Sequence, residues 1–92
     1  MEYTVSERTV EITNKLGIHA RPAALFVKLA GKYKSDISVF KNGQEVNGKS
    51  IMGVMMLAVE CGSKITIRAR GPDSESAVEA LVKLVQGKFE ED

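Results

Sequence analysis

Cysteine, histidine and tryptophan are nearly missing from this chain. It has one cysteine, Cys61, one histidine, His19, and no tryptophan in 92 residues. A single thiol excludes an intrachain disulfide and any multi-cysteine metal site. Aromatics make up 5%, no run is rich in arginine and the net charge is +1. These values argue against a nucleic-acid binder that stacks bases on aromatic platforms. No apolar run approaches the ~20 residues of a membrane span. The opening MEYTVSERTV carries acids where a signal peptide needs a basic and then an apolar stretch. A small cytoplasmic protein without membrane insertion is the expectation. Its length fits one domain over residues 1–92 with a modest core.

Acidic residues are absent from one long segment. Between Glu11 and Asp36 there is none, whereas Lys15, Arg21, Lys28, Lys32 and Lys34 are basic. A one-sided basic segment suits an acidic partner or a phosphate ligand, or is simply a solvated lysine face.

The hydrophobic pattern orders the elements. Thr9 to Thr13 alternates polar and apolar, the period of a half-buried strand. Asn14 to Ile18 reads as a loop with Gly17 as its flexible point. A helix follows from His19 or Ala20, with Pro22 in its first turn and Ala23, Phe26, Val27, Ala30 and Tyr33 as its buried stripe. Ile37 to Val39 forms a second strand, closed by the hairpin signal Asn42-Gly43, and Gln44 to Asn47 returns as a third. Ser50 is a good N-cap for a helix from Ile51 to about Val59. Ile65, Ile67 and Ala69 alternate with Thr66, Arg68 and Arg70 in a fourth strand. Asp73 can cap a last helix with the stripe Ala77, Ala80, Leu81, Leu84 and Val85. The order β-α-β-β-α-β-α predicts an α+β two-layer sandwich, with helices on one face of a four-stranded antiparallel sheet.

Three segments could carry chemistry. Gly43 to Ser50 satisfies G-x-x-x-x-G-K-[ST], the letters of a nucleotide-binding loop. However, Asn42-Gly43 already accounts for the first glycine as a turn, and Glu45-Val46-Asn47 reads as strand. Four short strands also cannot build the parallel sheet on which that loop sits, so nucleotide binding is the weaker alternative. The second segment is Gly17-Ile18-His19-Ala20-Arg21-Pro22-Ala23. His19 stands at a helix entrance, where backbone N–H groups and the dipole favour an anion. Arg21 can offer the same anion a forked, charge-assisted donor set, and neutral imidazole is a competent nucleophile near neutral pH. This combination fits a site that carries a phosphoryl group rather than a self-sufficient enzyme. In the third segment, residues 51–59 are apolar except for Gly53. Val54, Leu57 and Ala58 share one side, with Ile51 at its border, and Met52, Met55, Met56 and Val59 occupy the other. A helix in a two-layer domain buries one side, so the methionine side is expected to be at least partly exposed as an adaptable patch. Cys61 reads as a small buried or half-buried filler.

Gly17-Ile18-His19-Ala20-Arg21-Pro22-Ala23, followed about thirty residues later by Val46-Asn47-Gly48-Lys49-Ser50-Ile51-Met52-Gly53-Val54-Met55, resembles the HPr family. These are the histidine-containing phosphocarriers of the bacterial phosphoenolpyruvate:sugar phosphotransferase system. The resemblance runs from about Thr9 to Val85. It implies an HPr-like open-faced sandwich, with strand order 1-4-2-3 and three helices on one face. It also implies that His19 accepts phosphate from phospho-enzyme I and passes it to the A component of a sugar permease. Arg21 and the backbone N–H groups of Ala20 and Arg21 would steady that phosphate. Ser50 resembles the serine modified by HPr kinase/phosphorylase, and Ala20, Ala24, Ile51, Met52 and Met55 match the family's docking surface. A transcriptional regulator is a further implied partner. No cofactor or metal is called for, and a monomer is expected. A regulatory or nitrogen-branch relative that signals without moving sugar is the alternative, and a serine-only relative is disfavoured by the presence of His19. Leu16 stands where several members carry a small polar residue, and Met56 where a serine is often seen.

Overall fold

A computed structural model describes residues 4–90. Four strands and three helices follow one another as β1 (Thr4–Glu11), α1 (Ala20–Ala30), β2 (Asp36–Lys41), β3 (Gln44–Asn47), α2 (Ile51–Met56), β4 (Lys64–Gly71) and α3 (Ser74–Gln86). The strands form one antiparallel sheet in the order β1-β4-β2-β3. Register places Val10 opposite Ile65, and both Val39 and Arg8 opposite Ile67, with Ile37 opposite Ala69. The strand period of two then sends Val10, Ile37, Val39, Ile65, Ile67 and Ala69 to one face, where all are buried. Phe26 of α1, Val54 of α2 and Leu81 and Val85 of α3 complete that core. The opposite face is polar and carries the Glu7–Arg68 ion pair, with Arg68 stacked 4.6 Å from the Phe40 ring centroid.

The hairpin between β2 and β3 turns on Asn42 and Gly43, both at positive φ (49° and 82°). Residues 44–47 are strand, so Gly43 to Ser50 does not form a phosphate-binding loop. Lys49 Nζ is instead bound to the Tyr33 carbonyl at 2.7 Å.

Several boundaries differ from the sequence expectation. The first strand occupies Thr4–Glu11 rather than Thr9–Thr13. Its early part alternates no apolar residues, because Thr4, Ser6 and Arg8 take the core-side positions at the sheet edge. Ile12 lies beyond the strand but stays fully buried. The second helix stops at Met56, not Val59, because Ala58 adopts φ 51° and ends the right-handed path. Ala58 is consequently exposed and Val59 buried, the reverse of their helical projection. Asp73 takes the N-cap position of α3, as expected, but its side chain makes no capping bond. Its carboxylate accepts from the Lys34 N–H (2.8 Å), the Ser35 N–H (2.9 Å) and the Ser35 hydroxyl (2.6 Å). Those three bonds compete successfully with the helix's own N–H groups and clamp the α1–β2 connection to the start of α3. Cys61 is exposed on a turn rather than buried. After α3, Lys88, Phe89 and Glu90 all have positive φ, and this left-handed turn puts Phe89 fully into the core.

Candidate functional site

The site begins with the loop before α1. Asn14 is fully buried, and its side-chain amide donates to the Gly17 carbonyl at 2.6 Å while the Gly17 N–H donates back to the Asn14 carbonyl at 3.1 Å. Gly17 sits at φ +65°, and a Cβ there would collide with the Val59 carbonyl oxygen and the Glu60 Cα. Only glycine allows this close approach. The loop is then stitched to the opposite segment by Ile12 N–H to Ser63 carbonyl (2.8 Å), Gly62 N–H to Ile12 carbonyl (2.7 Å) and Ile18 N–H to Val59 carbonyl (2.9 Å). The residue before the helix is therefore fixed at both ends of the loop.

His19 occupies the N-cap position of α1 with extended backbone (φ −92°, ψ −165°), half-buried, and its side chain does not cap the helix. The first intrahelical bond runs from the Ala23 N–H to the His19 carbonyl at 2.9 Å. Pro22 has no N–H, so the Ala20 and Arg21 N–H groups are the helix donors that lie ahead of that bond. No acid stands in the first turn to offset the positive end of the dipole. Ala20, Arg21 and Ala24 are exposed beside His19. His19, Ala20, Arg21 and the N-terminus of α1 thus share one open corner. Chemically, that corner can hold a phosphoryl group on nitrogen and still present it to another protein.

The second predicted site residue lies at the other end of a neighbouring helix. Ser50 is the N-cap of α2, and its Oγ accepts from the Gly53 N–H at 3.0 Å. Lys49 ties this end of α2 to Tyr33, just past the end of α1, whereas Val59, just past the end of α2, binds Ile18 at the start of α1. The two helices therefore run antiparallel. His19 lies at the C-terminal end of α2, and Ser50 is separated from it by the helix's length, about 10 Å over seven residues. Between them the outward side of α2 exposes Ile51, Met52 (67%), Met55 and Met56 (69%). Leu16, 73% exposed, adds an apolar side chain on the loop before His19. The burial of Asn14 is not legible in the sequence, where an asparagine ahead of a glycine signals only a turn.

Comparison with known proteins shows the family to which this fold belongs. The family model described as "PTS HPr component phosphorylation site" matches residues 6–87. The phosphocarrier protein HPr of Cupriavidus necator is 46% identical, covering 92% of this chain and 96% of its own. The HPr-like protein Crh of Bacillus subtilis is 48% identical, covering 87% of this chain and 94% of its own. Among solved structures, an HPr from Thermoanaerobacter tengcongensis superposes with a TM-score of 0.92 at 52% identity, over 95% of this chain and 98% of that one. With the motif, the fold and relatives matched almost end to end, the chain belongs to the HPr family of phosphocarriers.

Proposed function

We propose that this protein, as a single domain in the cytoplasm, carries phosphoryl groups on His19 from phospho-enzyme I to the A components of sugar permeases. The observation that carries the reading is His19 at the exposed N-terminus of α1, beside Arg21 and with no acid in the first turn. In the accepting step the Nδ1 lone pair forms a bond to phosphorus. The phosphorus bond to enzyme I breaks, and its electron pair leaves with enzyme I. Arg21 and the Ala20 and Arg21 N–H groups offset the phosphate charge. The helix dipole contributes only about 0.3–1 kcal/mol, which steadies the group without trapping it. The chain catalyses no turnover alone, because the partner phosphotransferases supply the rest of each site. Ala20, Ala24, Ile51, Met52 and Met55 form the docking surface for these partners, and one monomer presents it to each in turn. Ser50 is the site for HPr kinase/phosphorylase, and a transcriptional regulator is a further partner.

A second reading follows from the similarity to Crh, in which the protein signals without moving sugar. Both readings are tested by mass spectrometry after incubation with phosphoenolpyruvate, Mg²⁺ and enzyme I. One acid-labile phosphoryl group on the parent and none on His19→Ala establishes the carrier. No phosphoryl group on the parent overturns it and leaves Ser50 as the centre of function.

A further inference from the structure

The end of α2 is held by a residue outside the motif, and its position bears on His19. Lys41, the last residue of β2, reaches across with Nζ donating to the Ala58 carbonyl at 3.0 Å and lying 3.5 Å from the Leu57 carbonyl. The next carbonyl, Val59, accepts from the Ile18 N–H at 2.9 Å. Three consecutive carbonyls are thus engaged by two different parts of the chain. Lys41 holds the first two, and the loop preceding His19 hangs from the third. Lys41 supplies what the local sequence does not. The helix closes with short-range bonds, from the Leu57 N–H to Val54 (3.3 Å) and the Ala58 N–H to Met55 (3.1 Å). It then passes through a left-handed alanine, where glycine is the usual choice. An ammonium at a helix C-terminus also meets the negative end of the dipole.

The geometry points to Lys41 as a positioning residue for phosphoryl transfer, which rests on the carrier reading of His19. It fixes the 57–59 segment, and that segment fixes the Gly17-Ile18 backbone from which His19 projects. A charge-assisted bond of this kind, exposed to solvent on one side, resists local opening by up to about tenfold.

Two readouts on Lys41→Met and Lys41→Arg test the assignment. Methionine keeps most of the alkyl stem and removes the donor. The first readout is hydrogen exchange at the Ile18 amide, which needs no phosphorylation. We expect about tenfold faster exchange in Lys41→Met, restored towards the parent in Lys41→Arg, while amides of the central strand β4 stay protected in both. The second is transfer from phospho-enzyme I, where kcat should fall several-fold with KM little changed, because the docking face remains intact. Parent-like exchange at Ile18 in Lys41→Met overturns the link to the loop. Faster exchange with unchanged kcat overturns the positioning role. An unphosphorylated parent overturns the carrier reading instead, and the exchange readout still decides the structural link.

Discussion

Single residues decide how His19 is held. Gly17 is the tightest of these positions, because both its φ of +65° and its contact with Val59 exclude a side chain. Gly17→Ala should cost about 2 kcal/mol or more, a left-handed penalty plus displacement of the loop. Urea unfolding measures the first effect, and the rate of His19 phosphorylation, expected to fall, measures the second. Asp73 works at a distance from the site. Hydrogen bonds from the Ser35 hydroxyl, then from the Lys34 backbone, hold its carboxyl below the usual carboxylate range. A depressed carboxylate pKa adds stability that is complete above the unfolded value of about 3.9. It is lost as pH falls through the lower folded value. The urea midpoint of Asp73→Asn should therefore lie below the parent's at pH 7, and the gap should close as the pH is taken below 4. A gap that persists at acid pH would assign the effect to packing. The sequence shows an acid before a helix and so predicts a cap. It cannot show that residues 34–35, nearly forty positions away, bring three better donors to the same carboxylate.

At the scale of elements, Ser50 joins the stability of α2 to the regulation proposed above. Losing its bond to the Gly53 N–H in Ser50→Ala should cost about 1 kcal/mol. Ser50→Asp keeps an acceptor and adds a negative charge at a helix N-terminus, so its stability should stay within a few tenths of the parent's. Binding to enzyme I, followed by calorimetry, should nonetheless weaken in Ser50→Asp, since the charge stands beside Ile51 and Met52. Equal binding of Ser50→Asp and parent would remove Ser50 from the docking face. The start of this helix is readable in the sequence because Ser50 opens an apolar run. Its end is not, since residues 51–59 contain no stop signal and the break at Ala58 depends on contacts from elsewhere in the chain. The same holds for the turn at 88–90, where three non-glycine residues take positive φ so that Phe89 can reach the core. The early part of β1 is hidden for another reason. An edge strand needs little burial, so Ser6, Glu7 and Arg8 carry no alternation for the eye to follow. The presence and order of four strands and three helices, by contrast, follow from period and turn chemistry, and the histidine segment from the residue types at a helix entrance.

For the molecule as a whole, the sheet leaves one face polar and gathers its exposed apolar side chains mostly around α1 and α2. Met52 should contribute nothing to folding and much to recognition. Met52→Asp is expected to unfold within about 0.5 kcal/mol of the parent. Its affinity for enzyme I should fall about tenfold, roughly 1.4 kcal/mol. Unchanged affinity would move the docking face elsewhere. The antiparallel packing of α1 and α2 has a consequence for what a partner can learn from this face. A typical protein footprint covers about 800 Å² on each side, a disc some 30 Å across. His19 and Ser50 are separated by little more than one short helix, so both fall inside any such footprint centred on α2. A partner of ordinary size has no way to query one address and ignore the other. Under the proposed function the face would act as a two-bit register read in a single operation, with each binder tuned to a combination of states rather than to one mark.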